Sequence, residues 1–140
     1  MIFCLDTSLI VKVLINEPGS ETVEALFRRW FEEDHRLITP QFTLCEIYSV
    51  LRKKNFQKSI TEAEADCALR DYELLGIELL PDMPLLKRAF WWAKKLNLPV
   101  IYDSLVLAAA EKEEAVLWTC DKKFFDKAKP EFARIEYPLN

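Results

Sequence analysis

Apolar residues follow two rhythms along this chain. Short runs at Ile2–Leu5, Leu37-Ile38, Ile77–Leu80 and Val116–Trp118 read as buried strands, with Arg134-Ile135-Glu136 as a further strand candidate. Between them lie longer segments whose apolar positions recur every three or four residues, the period of an α-helix. A strand followed by helix, repeated along the chain, predicts an α/β fold with a parallel sheet covered on both faces.

The helical segments carry their own punctuation. Thr7 or Ser8 can start a helix that runs through Ile15 and stops at Asn16-Glu17-Pro18-Gly19. Ser20 is a candidate N-cap for a second helix, along which Val23, Leu26, Phe27, Trp30 and Phe31 share one face. Thr39-Pro40 reads as a cap with proline in the first turn, opening an unusually apolar helix from Gln41 to about Lys54. Thr61 and Glu64 have capping-box spacing for a helix to Leu75, with Gly76 as its stop. Pro81-Asp82 opens a helix ending near Leu96, Val100-Ile101-Tyr102 leads into another to about Glu114, and Lys122–Lys127 is a short one. Leu85, Ala89, Trp92 and Leu96 form one buried-looking stripe. Trp91 lies about 100° round the helix from Trp92, where it could meet a subunit or another protein.

Composition narrows the class. A chain of 140 residues, 51% hydrophobic and 30% charged, reads as one globular domain spanning residues 1–140. No apolar run is long enough to cross a bilayer, and the N-terminus has no secretory signal pattern. Cys4, Cys45, Cys67 and Cys120 are widely spaced among apolar neighbours, which suggests reduced core thiols in a cytoplasmic protein. A net charge of −4 argues against a simple basic clamp on nucleic acid. Bound cations can nevertheless invert the field of an acidic site.

The candidate chemistry lies in four isolated carboxylates. Asp6 is the first charged side chain in the sequence and follows the first strand. Glu46 is the only charge between Arg36 and Arg52, and Asp103 the only one between Lys95 and Glu111. Asp121 is the first charge after Glu114 and follows the fourth strand. Burying a carboxylate without a partner costs several kcal/mol or forces protonation, and none of the four runs contains a basic partner. If the four converge, a divalent cation resolves both the desolvation and the mutual repulsion. Oxygen donors without His or Cys favour Mg²⁺ or Mn²⁺ over zinc.

Each acid also has a plainer explanation. Asp6, Asp103 and Asp121 precede helical segments and could be ordinary N-caps, each contributing about 1 kcal/mol. Glu46 lies within a helix and could be a solvated or hydrogen-bonded side chain at its edge. Thr7, Ser8, Ser104 and Thr119 could be caps or hydroxyls that orient carboxylates. Arg52, Lys53, Lys54 and Lys58, and Lys122-Lys123, flank the Glu46 and Asp121 segments and could track an RNA backbone or simply be solvated helix ends. Asp126, among lysines, reads as a surface residue. Two other function classes compete. A phosphoryl-transfer enzyme with Asp6 as nucleophile would be favoured by a second acid two residues on, but position 8 is Ser8. A non-catalytic module that binds RNA or protein would use the acids only as caps.

Taken together, four segments give the chain a family resemblance. Asp6-Thr7-Ser8 follows the first strand, and Thr43-Leu44-Cys45-Glu46-Ile47 precedes Leu51-Arg52-Lys53-Lys54. Tyr102-Asp103-Ser104 stands ahead of an alanine-rich helix, and Thr119-Cys120-Asp121-Lys122-Lys123-Phe124 follows the fourth strand. In this order they resemble a PIN domain, and in size and layout the VapC-type toxins of toxin–antitoxin pairs. The resemblance spans nearly the whole chain. It implies a three-layer α/β fold with a roughly five-stranded parallel sheet. It also implies one acidic pocket made of Asp6, Glu46, Asp103 and Asp121, and Mg²⁺- or Mn²⁺-dependent cleavage of RNA. Asp6 and Asp103 are then the first-choice direct ligands. Asp121 and Glu46 bind through water or position the nucleophile, with Thr7, Ser8 and Thr119 behind them. Arg52, Lys53, Lys54 and Lys122 are candidate RNA contacts. A small VapB-like antitoxin as inhibitor and a homodimer are the partners implied.

Overall fold

The computed structural model describes all 140 residues. Five parallel strands form one sheet: β1 (Ile2–Leu5), β2 (Arg36–Pro40), β3 (Glu78–Leu80), β4 (Val116–Trp118) and β5 (Ile135–Glu136). Their order across the sheet is β3-β2-β1-β4-β5. β1 pairs on one side through Phe3 with Leu37 of β2, and on the other through Cys4 with Leu117 of β4. Strand order therefore reverses at β1. The crevice at the carboxyl ends of β1 and β4 is the place where open parallel sheets hold ligands.

Alternate strand residues feed two separate cores, as the two-residue period requires. Phe3, Leu5 and Leu37 face α1 (Thr7–Leu14), α2 (Ser20–Glu32), α3 (Gln41–Phe56) and α4 (Glu62–Leu74). Cys4, Ile38, Leu117 and Ile135 face α5 (Leu86–Lys95), α6 (Tyr102–Lys112) and α7 (Lys122–Ala128). The first core is aromatic at its centre: the Trp30 ring lies 4.9 Å from Phe3 and 5.1 Å from Trp118. The second is lined by α6, where every residue from Ser104 to Ala110 is buried. Small alanines there let the helix lie close to the sheet, and an all-round apolar helix is the buried kind. This three-layer α/β arrangement is the one the strand–helix alternation predicts. No helix is long and apolar enough to cross a membrane.

The element ends differ from the sequence reading at several points, each for a physical reason. Thr7 and Ser8 do not cap α1, because their hydroxyls turn instead to Glu46 and Asp6. Ser20 is already inside α2, and Gly19 holds the N-cap position with φ 93°. The Ser20 hydroxyl donates to the Ile15 carbonyl and accepts from the Glu17 N–H, closing the Asn16–Gly19 turn. Thr39 and Pro40 belong to β2. The fully buried Thr39 hydroxyl donates to the Leu5 carbonyl at 2.8 Å, tying the end of β1 to its neighbour. Asp82 opens no long helix. Its carboxylate accepts from the Phe42 N–H at the start of α3, and a short 3₁₀ turn at Met83–Leu85 precedes α5. The Thr61–Glu64 capping box is present in both directions, and Gly76 ends that segment at φ 64°.

Three side-chain readings also change. Only Cys4 of the four cysteines is a core thiol; Cys45 and Cys67 are exposed and Cys120 is half-buried. The helix α3, which offers no obvious outer face in the sequence, buries Thr43, Ile47 and Leu51 and exposes Cys45, Tyr48, Ser49, Arg52 and Lys53. Its apolar character thus lies on both faces. Trp92 is buried with Leu85, Ala89 and Leu96, whereas Trp91 is exposed and carries the Arg88 guanidinium 3.9 Å above its ring.

Candidate active site

The residue that follows β1 is the pivot. The Asp6 N–H donates to the Trp118 carbonyl at 3.0 Å, extending the β1–β4 ladder one step beyond the strand. Its side chain is thereby fixed at the switch point, where it is 5% exposed. Oδ2 accepts hydrogen bonds of 2.7 Å from both the Ser8 and the Thr119 hydroxyls. Those hydroxyls are themselves held by the turn after β4: the Cys120 N–H donates to Ser8 and the Asp121 N–H to Thr119. Two crossings of the sheet, more than a hundred residues apart, are thus stitched together around one carboxylate.

The other three acids reach the same place from separate helices. Glu46 projects from α3, and its Oε1 accepts from the Thr7 hydroxyl at 3.1 Å. Asp103 lies in the first turn of α6, the helix buried against the sheet. Asp121 precedes α7, and its Oδ1 accepts from the Phe124 N–H at 3.1 Å, so the capping explanation is correct for this residue. It does not account for the others: Asp6 makes no side-chain cap and Asp103 follows the N-cap position. Asp6, Glu46, Asp103 and Asp121 line one cavity of about 360 Å³, together with Thr7, Ser8 and Cys120.

Their crowding shows in their acidity. Burial pushes the Asp103 carboxyl up to about 7, aided by the charges of Asp6, Asp121 and Glu46. Asp6 is also raised, by burial first, with the Ser8 and Thr119 hydrogen bonds and the Asp121 charge pulling in opposite directions. Glu46 is raised by burial, partly offset by Thr7, and further by Asp6. In this arrangement no three of these side chains come close enough to one point to hold a metal ion between them. An oxygen-only, anionic and open set fits a hard cation that keeps several of its waters, as Mg²⁺ does. Burial likewise keeps the Cys120 thiol protonated, pushing its pKa up to about 12.

Positive charge is present at the rim, and part of it escapes the sequence reading. Lys12, Glu17 and Lys54 line the same cavity. Glu17 pairs with Lys12 at 3.2 Å and with Lys54 at 3.3 Å, while Lys12 also donates to the Pro18 carbonyl. The missed signal is simple. Lys12 is the only charge between Asp6 and Glu17, the same isolation that marks the four acids. Arg52 and Lys53 lie outside the cavity on the exposed face of α3. Lys58 is exposed beyond that helix, and Lys122 is paired with the exposed Asp126 at 2.6 Å.

A family model matches most of the chain. The PIN domain model matches residues 3–130, from β1 to beyond α7. The chain belongs to the PIN domain family. No curated protein matches it. Among solved structures it is similar to VapC20 of Mycobacterium tuberculosis, described as a toxin cleaving the sarcin-ricin loop. That likeness has 16% identity, TM-score 0.65, and coverage of 90% of this chain and 94% of the other. PAE2754 of Pyrobaculum aerophilum gives 21% identity and TM-score 0.65, over 90% of this chain and 78% of that one. VapBC-1 of nontypeable Haemophilus influenzae gives 21% identity and TM-score 0.61, covering 98% of both chains. At these identities the likeness is one of fold, and this PIN domain shares its fold with those proteins.

Proposed function

We propose that this PIN-family chain is a metal-dependent endoribonuclease, the toxin of a VapBC-type pair. The observation that carries the reading is the gathering of Asp6, Glu46, Asp103 and Asp121 in one cavity at the β1/β4 switch point. None of the four is paired with a basic side chain there. Carboxylates gathered this closely repel one another, and a bound cation offsets that repulsion. Asp6 and Asp103 are the direct ligands in this reading. Glu46 and Asp121 bind through water or position the attacking water.

Mg²⁺ or Mn²⁺, when bound, supplies positive charge to the scissile phosphate and acidifies a water molecule. The protein's own contribution is preorganisation. Ser8 and Thr119 fix the Asp6 carboxylate, leaving its other oxygen free of side-chain hydrogen bonds. Thr7 orients Glu46. Asp103 must give up its proton before it can bind a cation. Lys12 and Lys54, steadied by Glu17, place positive charge where an RNA backbone would approach. Arg52, Lys53 and Lys122 are more distant backbone contacts in the same reading. VapC20 is described as a toxin cleaving the sarcin-ricin loop, and the VapBC-1 structure is similar in fold to this chain. By analogy the partners here are an RNA substrate, a VapB-like antitoxin and a second copy of the chain.

The test is cleavage of RNA by purified, partner-free protein in Mg²⁺ or Mn²⁺, beside EDTA and Asp6→Asn controls. Cleavage abolished by both controls supports the reading. Equal cleavage by wild type and Asp6→Asn overturns it, and failure of the wild type to bind either cation favours an inert RNA- or protein-binding module.

A further inference from the structure

Beside the acidic cavity lies a second, less polar recess of about 260 Å³, lined by Phe42, Cys45, Glu46, Ser49, Val50 and Tyr102. The two cavities share Glu46 and Val50, so they meet along one edge of α3. Two aromatic rings from different elements line the recess. Phe42 in the first turn of α3 and Tyr102 at the start of α6 stack with ring centroids 5.0 Å apart and planes 7° from parallel. Tyr102 is 46% exposed despite this packing. It is also the residue immediately before Asp103, so its position is tied to that of the acidic site.

We propose that this recess is a nucleobase subsite, which seats one unstacked base of single-stranded RNA next to the phosphate held at the acidic cavity. The proposal rests on the ribonuclease reading and adds to it a specificity element. Three observations favour a base over other occupants. The recess shares Glu46 and Val50 with the cavity that would hold a phosphodiester, so a nucleotide placed there has its base within reach. Tyr102, stacked on Phe42 and still 46% exposed, offers an aromatic surface for a base, and stacking on aromatic side chains is how proteins hold splayed-out bases. The volume of the recess is below that of pockets for drug-sized ligands, which suits a single ring system and excludes a paired duplex. The Ser49 hydroxyl and the Glu46 carboxylate edge offer polar contacts that could favour some bases over others.

The experiment uses the full chain and short single-stranded RNAs of mixed sequence, each carrying one 2-aminopurine at a different position. Binding is followed by fluorescence with the Asp6→Asn variant, which leaves the recess intact. Stacking should quench the fluorophore at one position only. Tyr102→Ala should abolish that quenching and weaken binding by about 5- to 100-fold, whereas Tyr102→Phe should retain both. Ser49→Phe, which fills the recess from α3 and leaves Tyr102 in the sequence, should also remove the quenching. In the cleaving wild type, an abasic nucleotide at the quenched position should cost the same factor as Tyr102→Ala, and the two losses should not multiply.

Cleavage by wild type without Tyr102-dependent quenching overturns the subsite and leaves the nuclease reading standing. Quenching without cleavage retains the subsite and removes the nuclease. If Tyr102→Ala and Ser49→Phe leave RNA binding unchanged but weaken the hold of a co-purifying protein, the recess is a peptide site and the proposal fails.

Discussion

The Thr119 hydroxyl donates to Oδ2 of Asp6 at 2.7 Å, joining residues 113 positions apart in the chain. Thr119 is fully buried and its oxygen also accepts the Asp121 N–H, so one hydroxyl sets the geometry of two acids. Thr119→Val keeps the shape and removes both bonds. It should lower stability by about 1–3 kcal/mol, the cost of leaving buried groups unpaired, read from urea denaturation. It should also raise the Asp6 pKa further, shifting the acid limb of the cleavage pH profile upward. Thr119→Ser should restore both.

Asp103 makes a pH prediction for the metal-free protein. Its carboxyl is raised from an ordinary value of 3.8 to about 7. Below about pH 4 it is protonated in folded and unfolded chains alike. Between there and pH 7 only the unfolded chain ionises it, so stability falls as pH rises through that window. Partial solvent access reduces the effect to about 1–2 kcal/mol. Thermal melts in EDTA should show the decline in wild type and not in Asp103→Asn.

Adding Mg²⁺ or Mn²⁺ should reverse that decline. Binding to the folded state alone stabilises it by roughly 2.7 kcal/mol at a hundredfold excess over Kd. With Asp103 as a ligand, calorimetry in buffers of different ionisation enthalpy should register proton release near pH 6.5 and little near pH 8.5. Equal proton release at both values would exclude Asp103 as a ligand.

Lys12 and Lys54 should differ in their effects on RNA. Lys54 is the more exposed, at 31% against 16% for Lys12. Lys54→Met should weaken binding across sequences and reduce the salt slope by about 0.7, one single-strand phosphate contact. Lys12→Met should do the same and also cost stability, since it removes one of the two partners of Glu17 and leaves the Pro18 carbonyl without its donor. Filter binding over a salt series, with parallel melts, separates the two.

Ser20 should prove structural and not functional. Its two hydrogen bonds close the turn that carries Glu17 toward Lys12. Ser20→Ala should cost about 1–2 kcal/mol in stability, measured by denaturation. At temperatures well below its melting point, RNA cleavage should fall less than with Lys12→Met.

The sequence by itself determined the architecture and marked the four acids that the fold gathers around one cavity. Strand and helix periods gave five strands in the right places, because a sheet buried on both faces needs short continuous apolar runs. The isolation of Asp6, Glu46, Asp103 and Asp121 marked them, since a lone charge in an apolar run needs a reason to be there. What it could not assign was the use of each hydroxyl. Thr7, Ser8, Ser20 and Thr39 all read as helix caps by local rules, yet each bonds elsewhere, to Glu46, Asp6, Ile15 and Leu5. Capping is a contest between nearby partners, and the fold brought stronger or otherwise unpaired ones into range. The Glu17 clasp on Lys12 and Lys54, and the Phe42–Tyr102 stack beside Glu46, joined segments that have no spacing rule between them. Only packing the helices on the sheet decided those, because side chains far apart in sequence meet only where tertiary structure places them.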